Sequence, residues 1–402
     1  LIFATYWFIV AVLAFLPLYW FIPSARVRFF TLIVFCAFFH THFAGPAGVA
    51  PIIFLGLMTF IVARIRHPAA CLIGIATCVF ALCFYKYTHF FISSVLAHIN
   101  PALATQADLA TTSFLPAAPP LAISFFVFEF IHYLYEVRKG GEPIRNFFDF
   151  AHFTLFFPSL VAGPIKRYTS FIPSLKVGLS SVNSQDIAHG MVQVACGFFK
   201  KSVLADNLTL YITYNAPRFS QITLAERWFF MVAVTLRVYL DFSGYSDMAI
   251  GFARMIGIRL PQNFNWPYLA NNITELWQRW HISLSSWIKD YVYVPLGGSR
   301  KGNARKVFNG LFAFALCGLW HGAAWQYLLW GVYHGVGLLA CGTYRKVLGP
   351  FGKWLGRFFD VVPIASWATT MAFFGLGCLL FFYPTDECCK MVQLLFVTMP
   401  VK

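Results

Sequence analysis

An all-α protein that crosses a membrane many times is the fold class predicted by three observations. Of the 402 residues 59% are hydrophobic and only 11% charged, less than half the roughly 25% charged residues of a soluble domain. Mean hydropathy is +0.67, and the apolar residues come in long runs rather than in the alternation of half-buried strands. The cations, 30 Lys and Arg against 15 Asp and Glu, gather in short clusters between those runs, as the positive-inside rule describes. Too little charge is left to coat a water-facing surface. The net charge of +15 therefore reads as membrane topology and argues against a nucleic-acid partner.

The elements follow in order. Leu1–Ile22 is apolar, about 20 residues long, and lacks both a basic leader and a small-residue cleavage site, so it is expected to be a membrane helix and not a signal peptide. Arg26 and Arg28, then Arg64 and Arg66, then Arg138, Lys139 and Arg145 mark three cytoplasmic loops. No Lys or Arg lies between Lys86 and Arg138, and Asn100–Pro120, rich in Ala, Thr and Pro, is expected to be an external loop. The N-terminus then lies outside the cytoplasm.

Past Arg145 the alternation fails, because Phe147–Ile165 has basic residues at both ends. An entering and returning segment would resolve this. The same holds for Val307–Leu319, which at a 1.5 Å rise covers roughly 20 Å and falls short of a ~30 Å hydrocarbon core. The turn Gly318–Gly322 is then expected at membrane depth, buried in protein. Pro363–Tyr383 is the last span, ending near Asp386 and Glu387. About ten to twelve membrane-embedded helices result, some partial. With no linker in sight they make a single membrane domain: N-terminal helices 1–118, a core 119–345, and a C-terminal helix and tail 346–402. The ten cysteines lie mostly inside apolar runs and read as small buried hydrophobes, with neither a metal site nor a disulfide framework.

Ionisable groups are expensive inside a membrane and mark function by default. Arg237 and Asp241 stand four apart on one helical face and are expected to neutralise each other. In Thr274–Trp287 and the residue after it, Trp277, Trp280, His281, Leu284 and Ile288 share one face of an expected helix, with Glu275 and Arg279 paired on its flank. His321 sits at the turn Leu319-Trp-His-Gly-Ala323, with Trp320 beside it and Gly318 and Gly322 allowing close backbone approach. His334 is read as structural. Neutral histidines in a dry cavity suit general-base activation of a hydroxyl; haem ligation by His281 and His321 is the competing use. Basic turns at Lys166 and Arg167, and at Arg300 and Lys301 after Gly297 and Gly298, could meet the phosphates of a donor or simply anchor the topology.

At these segments the chain resembles the membrane-bound O-acyltransferase family, in the branch of the bacterial alginate O-acetyltransferases. The blocks that carry the resemblance are Ala122–Phe126, Phe157–Pro164, Asp241–Gly251, Arg279–Ser285 with Leu296–Gly298, and Leu319–Ala323. They stand in family order. The resemblance implies a polytopic helical fold with a funnel from the cytosolic side, in a bacterial inner membrane. It puts the catalytic histidine at His321 and the second site position at His281, with Trp280, Trp320, Asp241 and Arg237 shaping the site. It implies no permanently bound cofactor and no metal. The co-substrate would be a cytosolic thioester, acetyl-CoA above all, and the acetyl group would pass to an extracytoplasmic polysaccharide of alginate type, with a periplasmic acetyltransferase as partner. D-Alanyl transfer from a carrier protein to teichoic acid, a proton-coupled transporter and an inactive scaffold are the alternatives.

Overall fold

The computed structural model describes residues 2–116, 118–180 and 182–397, apart from the side chains of Pro46 and Ala47. Among them there are helices and no strands. The chain is an all-α, multi-pass membrane protein. Its contacts fall into two compact units, Leu1–Ala195 with Asp247–Pro261, and Cys196–Ser246 with Gln262–Lys402.

In the first unit, helix Tyr6–Phe21 is capped by the Thr5 hydroxyl, which accepts from Phe8 N–H. The run Ala25–Ile65 is broken at Gly45, whose φ of +65° and ψ of 170° no helix tolerates; Pro46 follows, and the residue before a proline is pushed out of the helical region. Two spans result, Ala25–Gly45 and Gly48–Ile65, and Pro68–Ile99 supplies a third. Val34, Phe54 and Phe80 on these helices are 67%, 64% and 68% exposed, the outward apolar surface that lipid, and not water, accommodates. Asn100–Pro120 is not the loop expected of it. Asn100 caps Leu103 N–H, Pro101 occupies the first helical position, and Pro101–Thr112 is a helix. Composition alone had hidden a helix rich in alanine.

Phe147–Leu155 is a short helix capped by Asn146, and from Phe156 to Lys166 the chain is largely buried and, apart from the single 3-10 turn Phe157–Ser159, irregular. That agrees with a segment that does not simply cross. Helices Tyr168–Ser180 and Ser184–Phe198 then pack closely on the 247–261 segment: a Cβ at Gly178 of the first would lie 2.4 Å from Gly257 O, and one at Gly190 of the second 2.7 Å from Gly251 O.

The second unit holds the site. Helix Leu224–Met255 begins here with a capping box, Glu226 N–H donating to Thr223 Oγ1 and Thr223 N–H to Glu226 Oε2. Helix Asn303–His321 has 19 residues, about 28 Å, because Arg305 and Lys306 join its first turns. It is longer than the roughly 20 Å expected, and the turn falls later, at Gly322–Ala324, in extended backbone. Trp325–Val347 returns beside it. Pro363–Phe382 is the fourth helix long and apolar enough to span. Among the described residues, Lys390 lies within the short helix Thr385–Leu394, tied back where Arg227 donates to Leu394 O and Trp228 to Leu395 O. Residues 398–402 lie outside the described residues.

Candidate active site

His281 owes its place to a break in the chain. Residues 263–265 run extended beside 279–282: Asn265 N–H donates to Arg279 O and Ile282 N–H to Asn263 O, each at 2.9 Å. This bridge stops helix Ile273–Arg279, turns His281 to φ 43° and ψ 52°, and starts a new helix at Ile282. The single helix expected through Trp277–Ile288, with its shared aromatic face, is therefore not formed. A left-handed backbone is uncommon for a residue other than glycine, and such strain gathers at functional sites. The His281 ring is 1% exposed. Its Nδ1 lies 3.0 Å from Asn263 Oδ1, its face meets Phe242 and Trp320 at 4.6 and 6.1 Å between centroids, and Nε2 has no hydrogen-bond partner among the described residues.

His321 closes its helix half-buried. Its ring packs on Trp320 at 4.9 Å, on Trp330 at 5.2 Å and on Phe381 at 5.2 Å. Glycines set this contact. A Cβ at Gly318 would sit 2.0 Å from Tyr327 O, one at Gly331 2.1 Å from Phe314 O, and one at Gly322 2.0 Å from the Tyr327 ring. Only bare backbone lets helices Asn303–His321 and Trp325–Val347 touch here, and what Gly318 and Gly322 approach is the returning helix. The Trp320 ring thus lies against both imidazoles, and the walls around them are aromatic.

The remaining sequence-predicted residues fall into place less uniformly. Trp280 is buried, but its ring stacks among Tyr239, Phe264, Tyr268 and Phe374, so Phe264 is the wall it shares with His281. Asp241 and Arg237 approach only to 4.0 Å, while Lys201 reaches Asp241 at 2.9 Å. Arg237 instead donates to Thr209 Oγ1 and lies over Phe382. The expected mutual neutralisation gives way to Lys201, which the π-helical stretch Phe199–Ala205 brings alongside. Glu275 and Arg279 do pair, at 2.8 Å. In the first unit Lys166 is 1% exposed and its ammonium is held by Glu129, so it is withdrawn from any phosphate. Arg167 beside it is half-buried; Arg300 and Lys301 are exposed, on a loop whose Leu296 and Gly298 carbonyls accept from Asn309 Nδ2.

One residue escaped the sequence reading. Asn263 is fully buried; its only signal is a short polar side chain in Asn263-Phe-Asn265, just ahead of Pro267. His334, read as structural, has 0% exposure and no hydrogen-bond partner at either ring nitrogen among the described residues. Its ring lies 4.8 Å from Trp330 and 5.2 Å from Trp277. Buried polar atoms are rarely left unpaired without cause.

A family model described as MBOAT, the membrane-bound O-acyltransferase family, matches residues 143–385. The chain belongs to that family. Its MBOAT segment contains His281, His321 and His334 together with the loops at 166–167 and 300–301. Among similar proteins, "Probable alginate O-acetylase AlgI" of Azotobacter vinelandii is 36% identical over 337 residues, 81% of this chain and 66% of the relative. Peptidoglycan O-acetyltransferase of Helicobacter pylori is 33% identical over 336 residues, 77% of this chain and 61% of the relative. Teichoic acid D-alanyltransferase of Bacillus subtilis is 30% identical over 300 residues, 70% of this chain and 73% of the relative. The chain spans 55–66% of the length of three alginate relatives.

Proposed function

We propose that this membrane-bound O-acyltransferase moves an acetyl group from a cytosolic thioester, acetyl-CoA, toward an extracytoplasmic polysaccharide of alginate type. The observation that carries the reading is the convergence of His281 and His321 on one Trp320 ring, walled by Phe242, Trp330 and Phe381. Aromatic walls exclude water, which would otherwise take the acyl group. His321 takes the proton of the acceptor hydroxyl as its oxygen bonds to the thioester carbonyl carbon. The tetrahedral oxyanion then collapses, the C–S bond breaks, and the imidazolium returns the proton to the departing sulfur, leaving an ester and a free thiol. General-base catalysis of this kind supplies typically 10²–10⁴-fold, and positioning supplies the remainder. His281 holds a reactant beside it.

Arg300 and Lys301, in the unit that carries the two histidines, are the cations proposed to meet donor phosphates; Lys166 is occupied by Glu129. The reading includes an inner-membrane location with an extracytoplasmic N-terminus, a funnel open to the cytosol, and a periplasmic acetyltransferase that completes the transfer. Support for acetyl over D-alanyl comes from the alginate and peptidoglycan relatives, which match more of this chain than the teichoic-acid one. The test is purified protein in lipid with radiolabelled acetyl-CoA. Wild type is expected to hydrolyse or transfer the acetyl group and His321→Ala to lose that activity. Unchanged turnover in His321→Ala would remove His321 from the role, and no turnover in either would favour a carrier-bound donor. Cysteine labelling at positions 108 and 301 is expected to report opposite sides of the membrane.

A further inference from the structure

The two nitrogens of His281 are made unlike each other by one buried side chain, Asn263. Its amide can be oriented without reference to the histidine. Ser283 N–H, a backbone group that can only donate, points at Asn263 Oδ1 at 3.3 Å, and Ser283 Oγ lies 2.9 Å from the same oxygen. The other end of the amide, Nδ2, donates to Ser246 Oγ at 3.2 Å. Oxygen therefore faces residues 281–283 and nitrogen faces Ser246; the reverse assignment would set an NH₂ group against a backbone N–H. Because an amide oxygen only accepts, the 3.0 Å contact to His281 Nδ1 requires the proton to be on Nδ1. In the neutral ring Nε2 is then left as a bare lone pair. That atom is buried and unpartnered among the described residues.

The clamp extends to the backbone. Asn263 O accepts from Ile282 N–H, so both polar ends of this residue grip the segment that holds His281 at φ 43°. Four donors from residues 281–283 thus converge on the two oxygens of Asn263, which is 0% exposed.

We propose that Asn263 is a positioning residue that locks His281 in the Nδ1–H tautomer, so that Nε2 accepts a hydrogen bond from a hydroxyl of the acyl acceptor. The inference rests on the acyl-transfer reading above and narrows it. A neutral His281 locked this way has no N–H to offer the oxyanion, so it serves the polyhydroxyl acceptor and not the thioester carbonyl. Oxyanion stabilisation must come from other donors.

The test uses the full chain in lipid, labelled with ¹⁵N-histidine and assigned through His281→Gln. Wild type is expected to show His281 Nδ1 as the protonated nitrogen and Nε2 as the lone-pair nitrogen. Asn263→Leu, which removes the acceptor at similar volume, is expected to release the lock and populate Nε2–H. It should also cut acetyl transfer to a hydroxyl acceptor at least 10-fold. Asn263→Asp keeps an acceptor oxygen at the same place and is expected to preserve the Nδ1–H form and most of the transfer. A wild-type spectrum with Nε2–H, or an unchanged tautomer in a folded Asn263→Leu protein that has lost transfer, overturns the proposal. Should Asn263→Leu fail to fold, the wild-type and Asn263→Asp spectra still decide the tautomer. If the tautomer is as stated but His321→Ala and His281→Gln both transfer acetyl normally, the lock stands as a structural fact, while the acyl-transfer reading and the acceptor role of Nε2 fall.

Discussion

Two buried polar clusters solve the same problem in opposite ways. In the first unit Lys166 and Glu129, 1% and 5% exposed, sit against each other, and the ammonium lies over Phe153 and Phe171. In the second unit, among the described residues, His281 Nε2 and both ring nitrogens of His334 have no hydrogen-bond partner. The first cluster has used its polar capacity on itself, as a structural pair does. The second withholds it, and a group left unsatisfied in a packed interior costs about 1–3 kcal/mol. Sequence treats both alike, as ionisable residues among apolar ones. What separates them is whether the partner is already inside the protein.

The largest test of this contrast is Lys166→Met. It strands Glu129 without a counter-ion, and breaking a buried pair in this way destabilises by about 3–5 kcal/mol. Thermal unfolding in detergent should show a protein that is barely folded. The double variant Lys166→Met with Glu129→Leu is expected to recover most of the stability and to transfer acetyl groups. A double variant that folds but is inactive would move the pair from structure to chemistry.

Next comes Gly331→Ala. The new methyl would lie 2.1 Å from Phe314 O, so helix Trp325–Val347 must move away from its neighbour and carry Trp330 off the His321 ring. A displacement of about 1 Å at a reacting group can cost on the order of 10²-fold in rate. Acetyl transfer should fall by that order while the protein remains folded and membrane-inserted. Activity near wild type would mean that the helix contact does not set the position of His321.

How much of this was legible follows from the same physics. The helical class, the last span Pro363–Phe382 and the Glu275–Arg279 pair follow from hydropathy and i,i+4 spacing, which are local. The helix break at His281 is not local: it exists because Asn263 and Asn265 bridge to Ile282 and Arg279, nineteen and fourteen residues further on. Periodicity through Trp277–Ile288 could only predict an unbroken helix. Lys201 displaced Arg237 as the partner of Asp241 for the same reason, since a neighbour on another element outbid one on the same turn. Helix Asn303–His321 is less apolar than a simple span because Arg305, Lys306 and Asn309 lie on it ahead of His321.

His334→Phe separates cost from use. The ring already packs on aromatic neighbours, Trp277, Trp330, Phe373 and Phe374, with Gly377 beside its Nε2. Phenylalanine keeps those contacts and removes two unpaired nitrogens, so the melting temperature is expected to hold or rise, by the equivalent of about 1–3 kcal/mol at most. Acetyl transfer is expected to fall. A stabilised variant with full activity would show that His334 belongs with the structural groups after all.

The smallest effect is expected where water screens the charges. Burial opposes the Asp186 charge, but Arg254 and Arg259 at 3.1 and 2.7 Å outweigh it and hold the carboxyl below its ordinary range. A carboxylate with a depressed folded pKa stabilises the fold above its unfolded value of about 3.9, and that contribution is lost as the pH falls through the folded value. Asp186→Asn should therefore lower stability at pH 7 by no more than about 1 kcal/mol, since Arg259 is largely exposed and exposed partners contribute little. The gap between wild type and variant, read by thermal unfolding, should persist to pH 5 and close only in strong acid. High salt should narrow it too, whereas the Lys166–Glu129 pair, out of reach of counter-ions, should be indifferent to salt. A salt-insensitive Asp186 cluster would place it with the buried pair and erase the distinction between aqueous and interior charges on which this ordering depends.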